Sequence, residues 1–136
     1  MRLLACAPPS GAKAPTALAQ ELLACDLMLY PCDPVRFTEG FGVAVLEACA
    51  AGVVPVMTDA DAFGEIYSGS GAVMVPRGIG AQWTDQFLET VLQLFDRREE
   101  IEQRRLQVQA FAVGDGWKTV VGQWDDMIQR RMALRG

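Results

Sequence analysis

The chain has 136 residues, of which 51% are hydrophobic, and carries a net charge of -5. That is one domain by length, with enough apolar material to remove roughly two-thirds of its unfolded surface from water, and it excludes global disorder. The negative charge excludes a nucleic-acid groove, which needs basic surface to meet phosphates, and the absence of histidine removes the commonest neutral-pH acid/base and metal ligand.

Leu3 to Ala7 reads as a buried strand, too short for a signal-peptide core, and Pro8-Pro9-Ser10-Gly11 ends it. Thr16 caps a helix through Ala24 with Leu18, Leu22 and Leu23 as its apolar contacts. Leu27 to Tyr30 follows as a strand without polar alternation, which suits a parallel strand covered on both faces. A loop from Cys32 to Glu39 leads into a helix from about Gly42 to Ala51, which Gly52 ends in a left-handed conformation.

Val54 to Met57 is the next strand. Pro55 lacks an amide donor, so it belongs at the first position or near an edge. Thr58-Asp59 is a strand-end turn, Ala62 to Tyr67 a short helix, and Gly69-Ser70-Gly71 a tight turn into strand Ala72 to Val75, ended by Pro76. Beyond Gly80 the period becomes helical. Trp83, Phe87, Leu88, Val91, Leu92 and Phe95 share one face; Ile101, Leu106 and Val108 mark a helix from about Arg98 to Phe111. Trp117, Val120, Val121, Trp124, Met127 and Ile128 stripe the last helix as core or docking surface.

The longest apolar stretch, Ala48 to Met57, is broken by Gly52 and Pro55 and is too short to span a membrane. The arginines at 97, 98, 104 and 105 interleave with Glu99, Glu100 and Glu102 and read as a solvated helix face. Cys6, Cys25, Cys32 and Cys49 form no C-x-x-C pair and read as small thiols of a reducing cytoplasm. A cytoplasmic location is therefore expected.

Short strands alternating with helices predict an α/β fold with a Rossmann-like open parallel sheet, flanking helices and a helical C-terminal segment over 81–136. In such sheets ligands bind beyond the carboxyl ends of the strands. Three loops lie there: the one carrying Glu39, Thr58-Asp59, and Pro76-Arg77-Gly78. Gly40 and Gly42 flank Phe41 just before a helix whose free first amides favour an anion such as phosphate. A lone G-x-G reads equally well as an ordinary flexible turn, and neither the dinucleotide fingerprint nor a Walker lysine is present. Glu39 is an acceptor suited to sugar hydroxyls. Glu47, eight positions later among Val45, Leu46 and Ala48, is expected to be partly enclosed. It suits either a cis-diol such as ribose or a basic residue or neighbouring backbone.

The stretch from Glu39 to Glu47 resembles the E-x7-E motif of retaining glycosyltransferases of the GT-B group, especially its GT4-type family, the glycosyl transferases group 1. The resemblance runs over roughly residues 25 to 130. Asp26 to Pro31 is similar to the strand before the motif, Glu47 to Val56 to its continuation, and Gly64-Glu65-Ile66 to a later helix start. Gly71 to Pro76 is similar to the closing strand, and Trp117 opens the last helix in its usual place.

The resemblance implies a single partial nucleotide-sugar-binding domain over 1–136, part of the C-terminal, donor-binding domain of a GT-B enzyme. It implies transfer of a hexose from a nucleotide-diphosphate sugar to an acceptor with retention. Glu39, the catalytic candidate, would contact the donor sugar; the backbone of Gly40, Phe41, Gly42 and Val43 would meet the diphosphate; Glu47 would hold the ribose hydroxyls. No cofactor and no metal are implied, and Asp59-Ala60-Asp61 reads as a turn. The family's earlier strands, its diphosphate-neutralising Arg and Lys, and its acceptor domain have no counterpart here. The expected partners are therefore a nucleotide sugar and a missing N-terminal acceptor domain or a second chain. The alternative is an α/β interaction module that kept the fold and lost the chemistry.

Overall fold

A computed structural model of the chain describes residues 1–5, 15–32, 40–114 and 117–134. Among these described residues, four strands and six helices follow in the order β1 (Leu3–Ala5), α1 (Pro15–Leu23), β2 (Leu27–Tyr30), α2 (Val43–Ala50), β3 (Val54–Thr58), α3 (Phe63–Ile66), β4 (Val73–Val75), α4 (Ala81–Phe95), α5 (Arg98–Gly114) and α6 (Trp117–Ala133). The strands form one parallel sheet in the order β1-β2-β3-β4, with Leu3 opposite Leu27, Leu27 opposite Val54 and Val56 opposite Val73. The expected open parallel α/β sheet is what forms. Among the described residues no helix is long and apolar enough to cross a membrane.

Strand periodicity sorts the core into two layers, because neighbouring side chains leave a sheet on opposite faces. Leu27, Val54, Val56 and Val75 pack with Phe87, Val91 and Leu94 of α4 and Ile101 of α5. Their neighbours point the other way. Met57 meets Val45 and Cys49 of α2, Phe63, Tyr67 and Val108 of α5, and Met28 meets Leu22 of α1 and Ala48 of α2. Burying an apolar side chain of this size contributes about 1.5–3 kcal/mol relative to leaving it exposed. All five residues of β3 are buried.

Pro55 sits second in β3, an internal strand, rather than at its first position or an edge. The amide of Val54 donates to the Asp26 carbonyl on the β2 side, 3.0 Å away, and the amide of Asp59 donates to Val75 on the β4 side, 2.8 Å. Successive residues alternate sides, so Pro55 faces β4. Pairing with β4 begins only at Val56, and the absent donor therefore leaves no ladder bond unmade.

α2 ends as the sequence predicts. Gly52 takes φ 74°, its amide donates to Cys49 and the amide of Val53 donates to Ala48, which together satisfy two terminal carbonyls of the helix. α5 then passes the N-terminal ends of three strands. Arg105 donates to the Asp26 carboxylate at 3.0 Å, Arg104 donates to the Gly71 carbonyl at 3.0 Å, and the Gln109 side chain lies against Gly52. The second Asp26 oxygen accepts the backbone amide of Arg2 at 2.8 Å.

The helical stripes read from sequence are wider than the faces that become buried. Leu88 and Leu92 of α4 are exposed, while Leu94, absent from the expected face, is buried. Phe87, Val91 and Leu94 follow i, i+4, i+7, and one sheet face offers no more room than that. In α5 Leu106 is 70% exposed and Ala112 is buried in its place. In α6 the side chains of Val121, Trp124, Met127 and Ile128 are exposed, so their stripe is surface and not core. Cys25 and Cys49 are free thiols, and Cys32 and Cys49 are buried.

Met57→Ala removes a side chain with no solvent exposure and should cost about 2–5 kcal/mol. Leu106→Ala should stay within about 0.5 kcal/mol. Urea denaturation midpoints at unchanged slope check both. A large loss for Leu106→Ala would place that side chain in the core.

Candidate functional site

The carboxyl ends of β2, β3 and β4 are stitched together by backbone groups and the Thr58 hydroxyl. The amide of Cys32, just past β2, donates to Thr58 Oγ1 at 3.0 Å, and Thr58 is wholly buried at the end of β3. The Asp59 amide joins the end of β4 through the Val75 carbonyl. One turn further out, Arg77 of the β4–α4 loop lies 3.7 Å from the Asp61 carboxylate. Of the three loops that sequence placed at one sheet edge, Thr58-Asp59 and Pro76-Arg77-Gly78 come together there; the loop carrying Glu39 lies outside the described residues beyond Cys32. Within the Asp59-Ala60-Asp61 stretch, Asp61 begins the turn that leads into α3, with φ 51°.

α2 starts at this edge. Gly42 is its N-cap, with φ 71° and ψ 62°, and no side chain caps the helix or places an acid in its first turn. The Gly42 carbonyl accepts the amides of Val45 at 2.9 Å and Leu46 at 3.1 Å. The first amides of an α-helix have no intrahelical acceptor, and their partial positive charge faces outward. Gly40 and Phe41 precede this end on the surface, and the Phe41 side chain is 45% exposed. Val43 is 62% exposed.

Gly42 is required twice over. Its left-handed backbone suits glycine, and a Cβ there would meet the Phe63 ring at 2.7 Å. Phe63 opens α3 and is fully buried. Four residues on, the Tyr67 hydroxyl reaches the Phe41 carbonyl at 3.0 Å and the Gly42 carbonyl at 3.1 Å. The two rings meet edge-on, with Tyr30 and Phe111 completing the stack. Sequence reading missed Phe63 and Tyr67. Their i, i+4 spacing marks a buried aromatic pair, but nothing local says what the pair supports.

Glu39 lies outside the described residues. Glu47 does not sit where it was expected. Instead of being partly enclosed it is exposed, about 6 Å along α2 from Val43. The buried face of α2 is Val45, Ala48 and Cys49. Glu47 is about 200° round the helix from Val45, so its carboxylate projects away from the core. It borders an open groove of about 360 Å³ between α2 and α1, lined by Leu18, Leu22, Leu23 and Ala51 among others. Cys49, in the same helix, is no nucleophile: burial pushes its thiol up to about 12.

A family model described as glycosyl transferases group 1 matches residues 11–97, a span that contains the whole segment from Glu39 to Glu47. The GDP-mannose:cellobiosyl-diphosphopolyprenol alpha-mannosyltransferase of Xanthomonas oryzae pv. oryzae (strain PXO99A) is 34% identical over 89 residues. The protein of the same name from Xanthomonas campestris is 32% identical over 89 residues. Each alignment covers 65% of this chain and 23% of the relative, so the matched stretch is under a quarter of the relatives' length.

Gly42→Ala should destabilise the fold by about 1–3 kcal/mol, through both the left-handed backbone and the Phe63 clash. Gly40→Ala, with nothing within 4 Å of a new Cβ, should change stability by about 0.5 kcal/mol or less. Thermal unfolding of the two variants checks the contrast, and equal midpoints would contradict it.

Proposed function

We propose a function on one premise: the chain belongs to the glycosyl transferases group 1. Its sheet and the segment from Glu39 to Glu47 form part of the donor-binding domain of a transferase. The intact enzyme moves a hexose from a nucleotide-diphosphate sugar to an acceptor with retention at the anomeric carbon. One observation carries this reading: within the matched span, the glycine turn starts a helix at the carboxyl edge of a parallel sheet, where such folds take ligands.

The chemistry of the roles follows from charge. Transfer leaves a nucleoside diphosphate, so negative charge builds on the leaving group and outward-facing donors stabilise it. The backbone from Gly40 to Val43 supplies such donors, in a helix end without competing acids. Glu47 accepts hydrogen bonds from the two ribose hydroxyls; its exposure leaves it accessible for that role. Glu39 contacts hydroxyls of the sugar. The acceptor is held by a further domain or a partner chain. The relatives are named for GDP-mannose, which makes GDP the first nucleotide to test.

Calorimetric titration of the chain with GDP, UDP and ADP should show saturable binding of at least one of them. Glu47→Ala should weaken it about tenfold or more, the equivalent of about 1.4 kcal/mol. The unfolding midpoint should not move, because Glu47 is exposed. A folded chain that binds no nucleotide at millimolar concentration sinks the reading; unchanged affinity in Glu47→Ala removes that residue's role.

A further inference from the structure

We propose that Tyr67 is a positioning residue that aims the backbone of the donor-binding turn, an inference that rests on the function proposed above. Its side chain is 1% exposed and comes from the connection after β3, about 25 positions along the chain from the turn it touches. The hydroxyl has one proton, shared between the carbonyl oxygens of Phe41 and Gly42.

A trans peptide is planar, and its N–H points opposite to its C=O. Holding the Phe41 carbonyl therefore sets the direction of the Gly42 amide; the Gly42 carbonyl, which also accepts the amides of Val45 and Leu46, is held along the helix and carries the Val43 amide with it. The Phe41 carbonyl is drawn inward to a buried hydroxyl, so the Gly42 amide is turned outward to the site. The Phe63 ring closes the same turn from behind and leaves no space for it to collapse inward. Phe63 and Phe111 pack the Tyr67 ring at centroid distances of 5.7 and 5.4 Å, which keeps the hydroxyl in place. The group is polar because apolar packing alone cannot orient a peptide plane.

Tyr67→Phe keeps the ring contacts and deletes only the hydroxyl. In chemical-shift titrations it should weaken GDP binding about three- to tenfold while leaving guanosine binding unchanged, because the amides serve the phosphates. The backbone order parameter of the Gly42 amide, read from nitrogen-15 relaxation, should fall. Wild-type affinity for GDP together with a wild-type order parameter overturns the proposal, as does an equal loss for GDP and guanosine, the mark of a merely structural role. If the unsubstituted chain binds no nucleotide, the functional reading fails, and the order-parameter comparison still decides whether Tyr67 holds the turn. If the variant does not fold, the unsubstituted protein decides: a Tyr67 hydroxyl proton slow enough to observe by NMR supports the proposal, and one in fast exchange overturns it.

Discussion

The structure depends on β3 being covered on both faces. Its five residues are all buried, and it pairs with a parallel neighbour on each side. A strand in that position offers no surface to solvent, so helices must pack above and below it. α4 supplies one layer, and α2 with α5 supplies the other. Polar chemistry is thereby confined to the two ends of the strands, where backbone groups leave the ladder and need partners.

The two ends are used differently. At the amino ends, α5 runs past β2, β3 and β4 and meets them with arginines: Arg105 on Asp26 and Arg104 on the Gly71 carbonyl. These contacts close that edge. At the carboxyl ends the stitching is done by backbone and by Thr58, which leaves the turn before α2 facing outward. Phe63 and Tyr67 brace that turn from within. The layer that stabilises the sheet and the scaffold of the candidate site are thus one cluster, running from Val45 and Met57 to Tyr67 and Val108.

Much of this was legible in the residues. The strand Leu27–Tyr30 and the glycine stop at Gly52 emerge as read, because each follows from local rules of burial and dihedral preference. Pro55 was legible as a conflict but not as its solution, since the direction of one missing amide depends on where β4 begins pairing. Leu88, Leu92 and Leu106 have core periodicity and stay outside. Periodicity states which residues share a face; it does not state how much of that face a neighbour covers. Glu47 shows the same gap in reverse. Its apolar flanks suggest enclosure, yet two positions from Val45 is the far side of a helix.

By itself the sequence determined the alternation of strands and helices, the parallel class of the sheet and the glycine turn that opens α2. It also carries the pattern that resembles the family the chain belongs to. All of these rest on side-chain size, period and backbone freedom over a few residues. Only the tertiary structure decided which face of α2 is core, where the Glu47 carboxylate points, and that Phe63 and Tyr67 brace the turn at Gly42. Those depend on contacts between segments about 20 to 80 positions apart, such as Gly42 with Phe63 and Asp26 with Arg105. Chain distance does not encode such contacts; the folding of the sheet creates them.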